Sequence, residues 1–184
     1  MFSSGNLAER MGIPARIRHG QVVVDLFAGI GYFTIPIALR SRALSVFACE
    51  VNPIAHGYLL WNMRLNRVAN VVPLLGDCRT QAPVGVADWV LMGHFSATGY
   101  LDVAFRALKD EGTIVVHFLS PQEQFPQDAV DATRRAAGEA GFDVRAIRER
   151  RVKSYAPGVL HGVLEAEVVR KPKGISTPNP SRPR

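Results

Sequence analysis

Val22-Val-Val-Asp-Leu-Phe-Ala-Gly-Ile-Gly-Tyr-Phe-Thr34 is a short apolar run, then one acid, then two glycines. Val22 to Val24 supply β-branched residues for a strand covered on both faces, and Gly29 and Gly31 let the backbone turn tightly and come close to a ligand. A helix from Tyr32 to Arg40 is predicted to follow, with Pro36 in its first turns, where a missing N–H donor is tolerated. A dinucleotide fingerprint needs a third glycine three residues after the second. That position is Thr34, so a pyrophosphate fits poorly and a nucleoside without phosphates fits better. The next strand, Ser45 to Cys49, leads into Glu50, about 20 residues beyond the glycines, where a βαβ unit sets a carboxylate against ribose hydroxyls.

Outward from this stretch, the bulk properties set bounds. At 184 residues and 47% hydrophobic, the chain can bury one substantial core, so one domain is expected, over residues 1–169. Residues 170–184, rich in Pro, Ser, Lys and Arg, read as a disordered basic tail. No apolar run reaches the length of a membrane span and no secretory leader opens the chain, so a soluble, cytoplasmic protein is expected. Cys49 and Cys78 lack a paired spacing suited to zinc; free thiols and no metal are the reading. The net charge of +6 admits a polyanionic partner such as RNA, because cations near phosphates release counterions.

Along the chain, Ser3-Ser4-Gly5-Asn6 offers a helix cap and Leu7 to Met11 a short helix carrying Arg10, whose guanidinium could grip a carboxylate. Asn52-Pro53 starts a helix to about Asn66 with Ala55, Leu59, Leu60 and Met63 as its apolar stripe, and His56 and Trp61 read as packing residues. Val71 to Leu75 is a strand followed by Asp77, placed either to accept from an adenine amino group or to cap a helix. Ala87 to Leu91 is the fourth strand, ending in Met92-Gly93-His94-Phe95-Ser96. A helix over Tyr100 to Leu108, a strand over Thr113 to Phe118, and a helix from Ala129 to Ala140 stopped by Gly141 follow. Val144 to Val152 and Val159 to Val168 alternate apolar and polar residues as an edge hairpin would.

Asp25, Gly29, Gly31 and Glu50 together resemble the class I methyltransferase fold. That resemblance implies an α/β, Rossmann-like, mostly parallel seven-stranded sheet with an antiparallel edge hairpin, and S-adenosylmethionine as ligand. Four segments narrow it: Met1-Phe-Ser-Ser-Gly-Asn6, Val24 to Thr34 with Cys49-Glu-Val-Asn-Pro53, Met92-Gly93 with Tyr100-Leu-Asp102, and Val152-Lys-Ser-Tyr-Ala-Pro157. Together they are similar to the wybutosine-synthesis tRNA aminocarboxypropyltransferases, over most of Met1 to Val169. Relatives that methylate guanine N1 typically carry Asn-Leu-Pro where this chain has Met92-Gly93-His94, so the resemblance favours transfer of the 3-amino-3-carboxypropyl group.

Carried over by position, the resemblance implies contacts to S-adenosylmethionine from Ser3, Arg10, Asp25, Phe27, Ala28, Gly29, Gly31, Tyr32, Phe33, Glu50, Val51, Asp77, Cys78 and Met92, with Cys78 standing where Asn is common. It implies tRNA as acceptor. The family's N-terminal RNA-docking region has no counterpart before residue 1, which leaves a small-molecule or peptide acceptor as an alternative, beside an ordinary methyltransferase and a non-catalytic nucleoside- or RNA-binding module. If the acceptor atom needs a general base, His94 at a strand's carboxyl end is best placed, with Tyr100, Tyr155 and His161 behind it.

Overall fold

The computed structural model of the protein describes residues 7–172, with side chains from residue 9 onward. Seven strands form one sheet: β1 (Val22–Asp25), β2 (Ser45–Glu50), β3 (Val71–Leu75), β4 (Ala87–Met92), β5 (Leu108–Pro121), β6 (Phe142–Ala156) and β7 (Val159–Arg170). Their order is β3-β2-β1-β4-β5-β7-β6. The first five strands run parallel, β7 lies antiparallel to β5, and β6 antiparallel to β7. The order reverses between β1 and β4, which opens a crevice at the carboxyl ends of those strands.

The helices are α1 (Leu7–Arg16), α2 (Thr34–Arg40), α3 (Pro53–Leu65), α4 (Cys78–Gln81), α5 (Leu101–Ala107) and α6 (Gln127–Glu139). Both faces of the sheet are covered, which is why its central strands read as continuous apolar runs. Val23, Val46, Ala48, Trp89, Leu91 and Val115 pack with Ile13, Ile37 and Leu59 from the α1–α3 side. Val24, Cys49, Val90, Met92, Ile114 and Val116 pack with Phe105, Ala129 and Ala137 from the α4–α6 side. Alternate residues of one strand thus enter different cores, as the period of two requires.

Several expected boundaries move for identifiable reasons. Helix α1 runs one turn beyond Met11, through Pro14 to Arg16, and Ile13 is buried beneath it. Helix α2 begins at Thr34 instead of Tyr32, because Gly31 at φ +95° keeps residues 32 and 33 in the preceding turn. A 3₁₀ turn, Ala97–Tyr100, precedes α5. Strand β5 extends well past Thr113 and Phe118 because β7 pairs along it from Glu111↔Val169 to Pro121↔Val159. On α3, Leu59 is buried but Trp61 is 60% exposed, so Trp61 is not the packing residue its helix position suggested; His56 is half-buried. Its cap is as expected, with Asn52 Oδ1 accepting from Ile54 N and Ala55 N.

At the C-terminal end, Arg170 still belongs to β7 and its Nε donates to Asp110 at 2.7 Å, while Lys171 N donates to Gly141 O at 2.8 Å. The expected disordered tail from residue 173 onward, and the Ser3-to-Asn6 cap, lie outside the described residues. No helix among the described residues is long and apolar enough to cross a membrane.

Candidate active site

The site grows from the turn between β1 and α2. Leu26 N donates to Leu91 O and Ala28 N to Cys49 O, both at 2.9 Å, which pins the turn to β4 and β2. Gly29 and Gly31 take φ of +58° and +95°. A side chain at Gly31 would begin 2.7 Å from Ile35 Cγ1 and 3.0 Å from Leu59 Cδ1, so both conformation and packing require glycine there. Asp25, 1% exposed at the end of β1, accepts from Phe27 N at 3.2 Å and from Thr34 Oγ1 at 2.8 Å. Thr34 therefore has a task of its own where a dinucleotide fold has its third glycine. Desolvation dominates at Asp25 and raises its pKa to about 6, against the two hydrogen bonds, which lower it.

Glu50 ends β2 and is half-buried at the crevice. Its Oε2 accepts from Gly29 N at 2.8 Å and its Oε1 from Asn52 N at 2.7 Å, so the carboxylate ties the glycine turn to the start of α3. Val51 beside it is exposed. Asp77 caps α4 by accepting from Arg79 N at 2.8 Å, and Arg79 Nη1 adds a bond of 3.0 Å to the other oxygen. The backbone bond first, and the guanidinium with it, hold the Asp77 carboxyl below the usual range. The same guanidinium lies 4.1 Å from the centroid of Tyr100. Cys78 and Cys49 are free thiols with buried side chains, and burial pushes them up to about 11 and about 12 respectively.

Around the crevice the aromatic rings are linked. Phe27 meets Tyr100 edge-on at 5.1 Å and His94 at 5.4 Å. Tyr32 and Phe33 meet edge-on at 5.3 Å, and the Arg10 guanidinium sits 4.5 Å from the Tyr32 centroid. Arg10 Nε is buried without a hydrogen-bond partner among the described residues. Ala28, Phe33 and Met92 are buried, and Phe33 lies so close to Gly93 that a Cβ there would be 3.2 Å from its ring.

Of the four expected bases, His94 is the exposed group that follows β4, a strand flanking the glycine turn; its Nδ1 accepts from Ser96 N at 3.2 Å, which leaves Nε2 for other work. Tyr100 is half-buried beside Arg79, and Tyr155 is 53% exposed at the end of β6. His161 is wholly buried. In the β5–β7 register His117 pairs with Val163 and His161 with Leu119, so the two imidazoles are diagonal neighbours on one face, with His117 Nδ1 and His161 Nε2 3.1 Å apart. Burial above all lowers His117 to about 3 and His161 to about 4, so both are neutral, and His161 Nδ1 has no partner among the described residues. Sequence reasoning missed His117, Thr34 and Arg79. The signal for His117 was a titratable residue inside an otherwise apolar strand; the other two stood next to residues already singled out.

Asp25 and Glu50 thus both tie to the glycine turn, Gly76 N beside Asp77 donates to Glu50 O at 2.9 Å, and Arg10 lies over Tyr32, while Ser3 lies outside the described residues. No cluster of three or more His, Cys, Asp or Glu that could hold a metal ion occurs among the described residues.

Comparison with known proteins bears on this crevice. The TRM5/TYW2 methyltransferase domain matches residues 1–145. The tRNA(Phe) (4-demethylwyosine(37)-C(7)) aminocarboxypropyltransferase of Methanocaldococcus jannaschii is 40% identical over 171 residues, covering 92% of this chain and 69% of that protein. The crystal structure of M. jannaschii TYW2 in complex with AdoMet superposes with a TM-score of 0.88 at 39% identity, over 92% of this chain and 78% of that one. The Pyrococcus abyssi tRNA (guanine(37)-N(1))-methyltransferase Trm5b is 36% identical over 157 residues, covering 85% of this chain and 46% of that protein. The chain spans about two thirds of the first relative's length and less than half of the last one's.

Proposed function

This chain belongs to the TRM5/TYW2 methyltransferase domain family, and from that premise we propose that it transfers the 3-amino-3-carboxypropyl group of S-adenosylmethionine to a carbon of a wybutosine-precursor guanosine in tRNA. The observation that carries this reading is the Glu50 carboxylate, fixed by Gly29 N and Asn52 N at the mouth of a glycine turn, at the switch point of the sheet. A nucleoside's ribose hydroxyls find an acceptor there and no phosphate-binding third glycine. The buried Arg10 Nε, without a hydrogen-bond partner among the described residues, fits the carboxylate of the methionine moiety, and Asp77 fits the adenine amino group.

The sulfonium co-substrate supplies the leaving group: a bond forms from the acceptor carbon to the γ-carbon, the γ-carbon–sulfur bond breaks with its electron pair to sulfur, and methylthioadenosine departs. The protein's share is orientation, since a sulfonium activates three carbons and the one held in line reacts. Arg10, with Ser3, holds the chain's carboxylate; Gly31 and Met92 leave the backbone and an apolar wall close to the ligand; Glu50 fixes the ribose. His94, with Nε2 free of the loop bond made by Nδ1, takes the acceptor's proton if a base is needed. The reaction belongs to the cytoplasm, where Cys49 and Cys78 stay reduced.

Mass spectrometry of the protein incubated with S-adenosylmethionine and tRNA carrying the wybutosine precursor tests this. Methylthioadenosine with an aminocarboxypropyl adduct on the tRNA is the expected result. S-adenosylhomocysteine with a methyl adduct would replace it with the second reading, a guanine methyltransferase, which the likeness to the P. abyssi protein favours. Methylthioadenosine with an adduct only on a small molecule or peptide would move the acceptor. His94→Ala with unchanged turnover across pH would remove His94 from the proton transfer.

A further inference from the structure

The segment Val152 to Pro157 is used by nothing in the reaction above, although the hairpin that carries it reaches the site. The loop leaving β4 makes the connection. His94 packs on Phe27 beside the nucleoside crevice, and the next residue, Phe95, packs on the β6–β7 hairpin. The Phe95 ring meets Tyr155 at 5.1 Å and 74°, and meets His161 at 4.9 Å and 75°. Two successive residues therefore bridge the cofactor turn and the hairpin tip. Behind Phe95 the rings continue through the His161–His117 pair to Phe33, 5.2 Å from His117, and so back to the glycine turn.

The chemistry of this wall is specific. Tyr155 is a large ring left 53% exposed although rings held edge-on are available to bury it, and Phe95 is only half-buried. The imidazoles behind Phe95 are wholly or almost wholly buried, and neutral, so the ring left exposed at this wall, Tyr155, stands on an uncharged aromatic base. His161, whose ring meets Phe95, keeps an unused hydrogen-bonding function at Nδ1 among the described residues, which is rare in a purely structural core. Such a surface suits a flat heteroaromatic ring that needs a stacking partner, since every nucleobase has a π-face and gains on an aromatic platform.

We propose that Tyr155, held edge-on by Phe95, forms the platform on which the acceptor, a planar purine-derived base carried on RNA, stacks for attack at the neighbouring crevice. This rests on the aminocarboxypropyl-transfer reading for the identity of the acceptor. Tyr155 is a specificity residue and Phe95 the positioning residue that holds its ring; neither takes part in bond making. The loop from β4 sets the platform beside the cofactor turn, so a base stacked there lies next to the group to be transferred.

The test uses the whole chain with an anticodon-loop RNA bearing 2-aminopurine at the acceptor position, whose fluorescence is quenched on stacking, beside S-adenosylmethionine affinity and methylthioadenosine release. The wild type is expected to quench the probe. Tyr155→Leu and Phe95→Leu are expected to weaken acceptor binding roughly 5- to 100-fold, the range that loss of one base–aromatic stack gives, with affinity for S-adenosylmethionine within twofold. Tyr155→Phe is expected to behave as wild type, which separates stacking from hydroxyl chemistry. Because Tyr155 is exposed, its variants keep the fold, and circular dichroism verifies this. Quenching that survives both Leu variants, or a Tyr155→Phe variant as weak as Tyr155→Leu, would overturn the platform. Platform-dependent quenching with no methylthioadenosine released by the wild type would leave the platform standing and remove the aminocarboxypropyl reading.

Discussion

Asp25 is a carboxylate held by two hydrogen bonds, not by a cation, in a place from which water is excluded. Its pKa stands raised, at about 6 against an ordinary 3.8, so across that window the folded chain binds a proton that the unfolded chain has released. Its contribution to stability is therefore fully present below the ordinary value and is lost as pH rises through about 6. Asp25→Asn should gain on the wild type between pH 4 and pH 7 by up to roughly 3 kcal/mol, read from denaturant midpoints at several pH values. Parallel pH profiles for the two proteins would refute this. Glu50 is half-buried and bonded to Gly29 N and Asn52 N, and on the function proposed above Glu50→Ala should weaken S-adenosylmethionine binding by roughly 10- to 100-fold by calorimetry, the worth of hydrogen bonds to a charged acceptor. An affinity within twofold of wild type would take the ribose from Glu50.

Helix α3 shows what an element adds to its residues. Its length, its cap and its inward stripe of Ala55, Leu59, Leu60 and Met63 were readable from Asn52-Pro53 and the apolar spacing, but that Trp61 lies outside the core was not. Leu59 is buried against the sheet and would touch any side chain placed at Gly31, whereas Ile54, Tyr58, Trp61 and Leu65, at intervals of three and four, lie on the exposed face. Leu59→Ala should cost about 2–5 kcal/mol in urea denaturation, as large-to-small core changes do. Trp61→Lys should stay within about 0.5 kcal/mol, as surface changes do. A similar cost for both would mean that Trp61 is covered after all. The sequence shows further apolar residues off the inward stripe and cannot say that Trp61 stays outside the core, because a hydrophobic pattern marks faces without marking neighbours.

At the scale of the molecule, the β5–β7 pairing decides the most. It brings His117 to His161 across 44 residues of chain and leaves both rings neutral. Their pKa values are depressed, to about 3 and about 4, so the unfolded state binds more protons, and stability is fully present above the ordinary 6.5 and falls as pH drops below it. This runs opposite to Asp25 between about pH 4 and pH 6. Thermal melts should show the wild type losing stability on acidification from pH 7, with His117→Leu giving a flatter profile; an equally steep profile in that variant would place the titration elsewhere. The same long-range pairing lets α1 latch onto the far edge of the sheet, through Arg16 to Glu165 on β7 and Arg150 on β6 to Glu9.

By itself the sequence determined the glycine turn, the carboxylate that ends β2 and the cap of α3. Val22 to Thr34, Glu50 and the Asn52-Pro53 cap act through turns, caps and one βαβ unit, whose geometry is fixed by residues within about 20 positions of each other. Strand β3 and the order of strands and helices followed from the same local rules. Tertiary structure alone decided the contacts of the β6–β7 hairpin: that Phe95 meets Tyr155, that two histidines meet beneath it, and that β5 runs from Leu108 to Pro121. Those contacts depend on the register of strands far apart in the chain, and the alternation of apolar and polar residues marks which face a residue takes without marking which partner it faces.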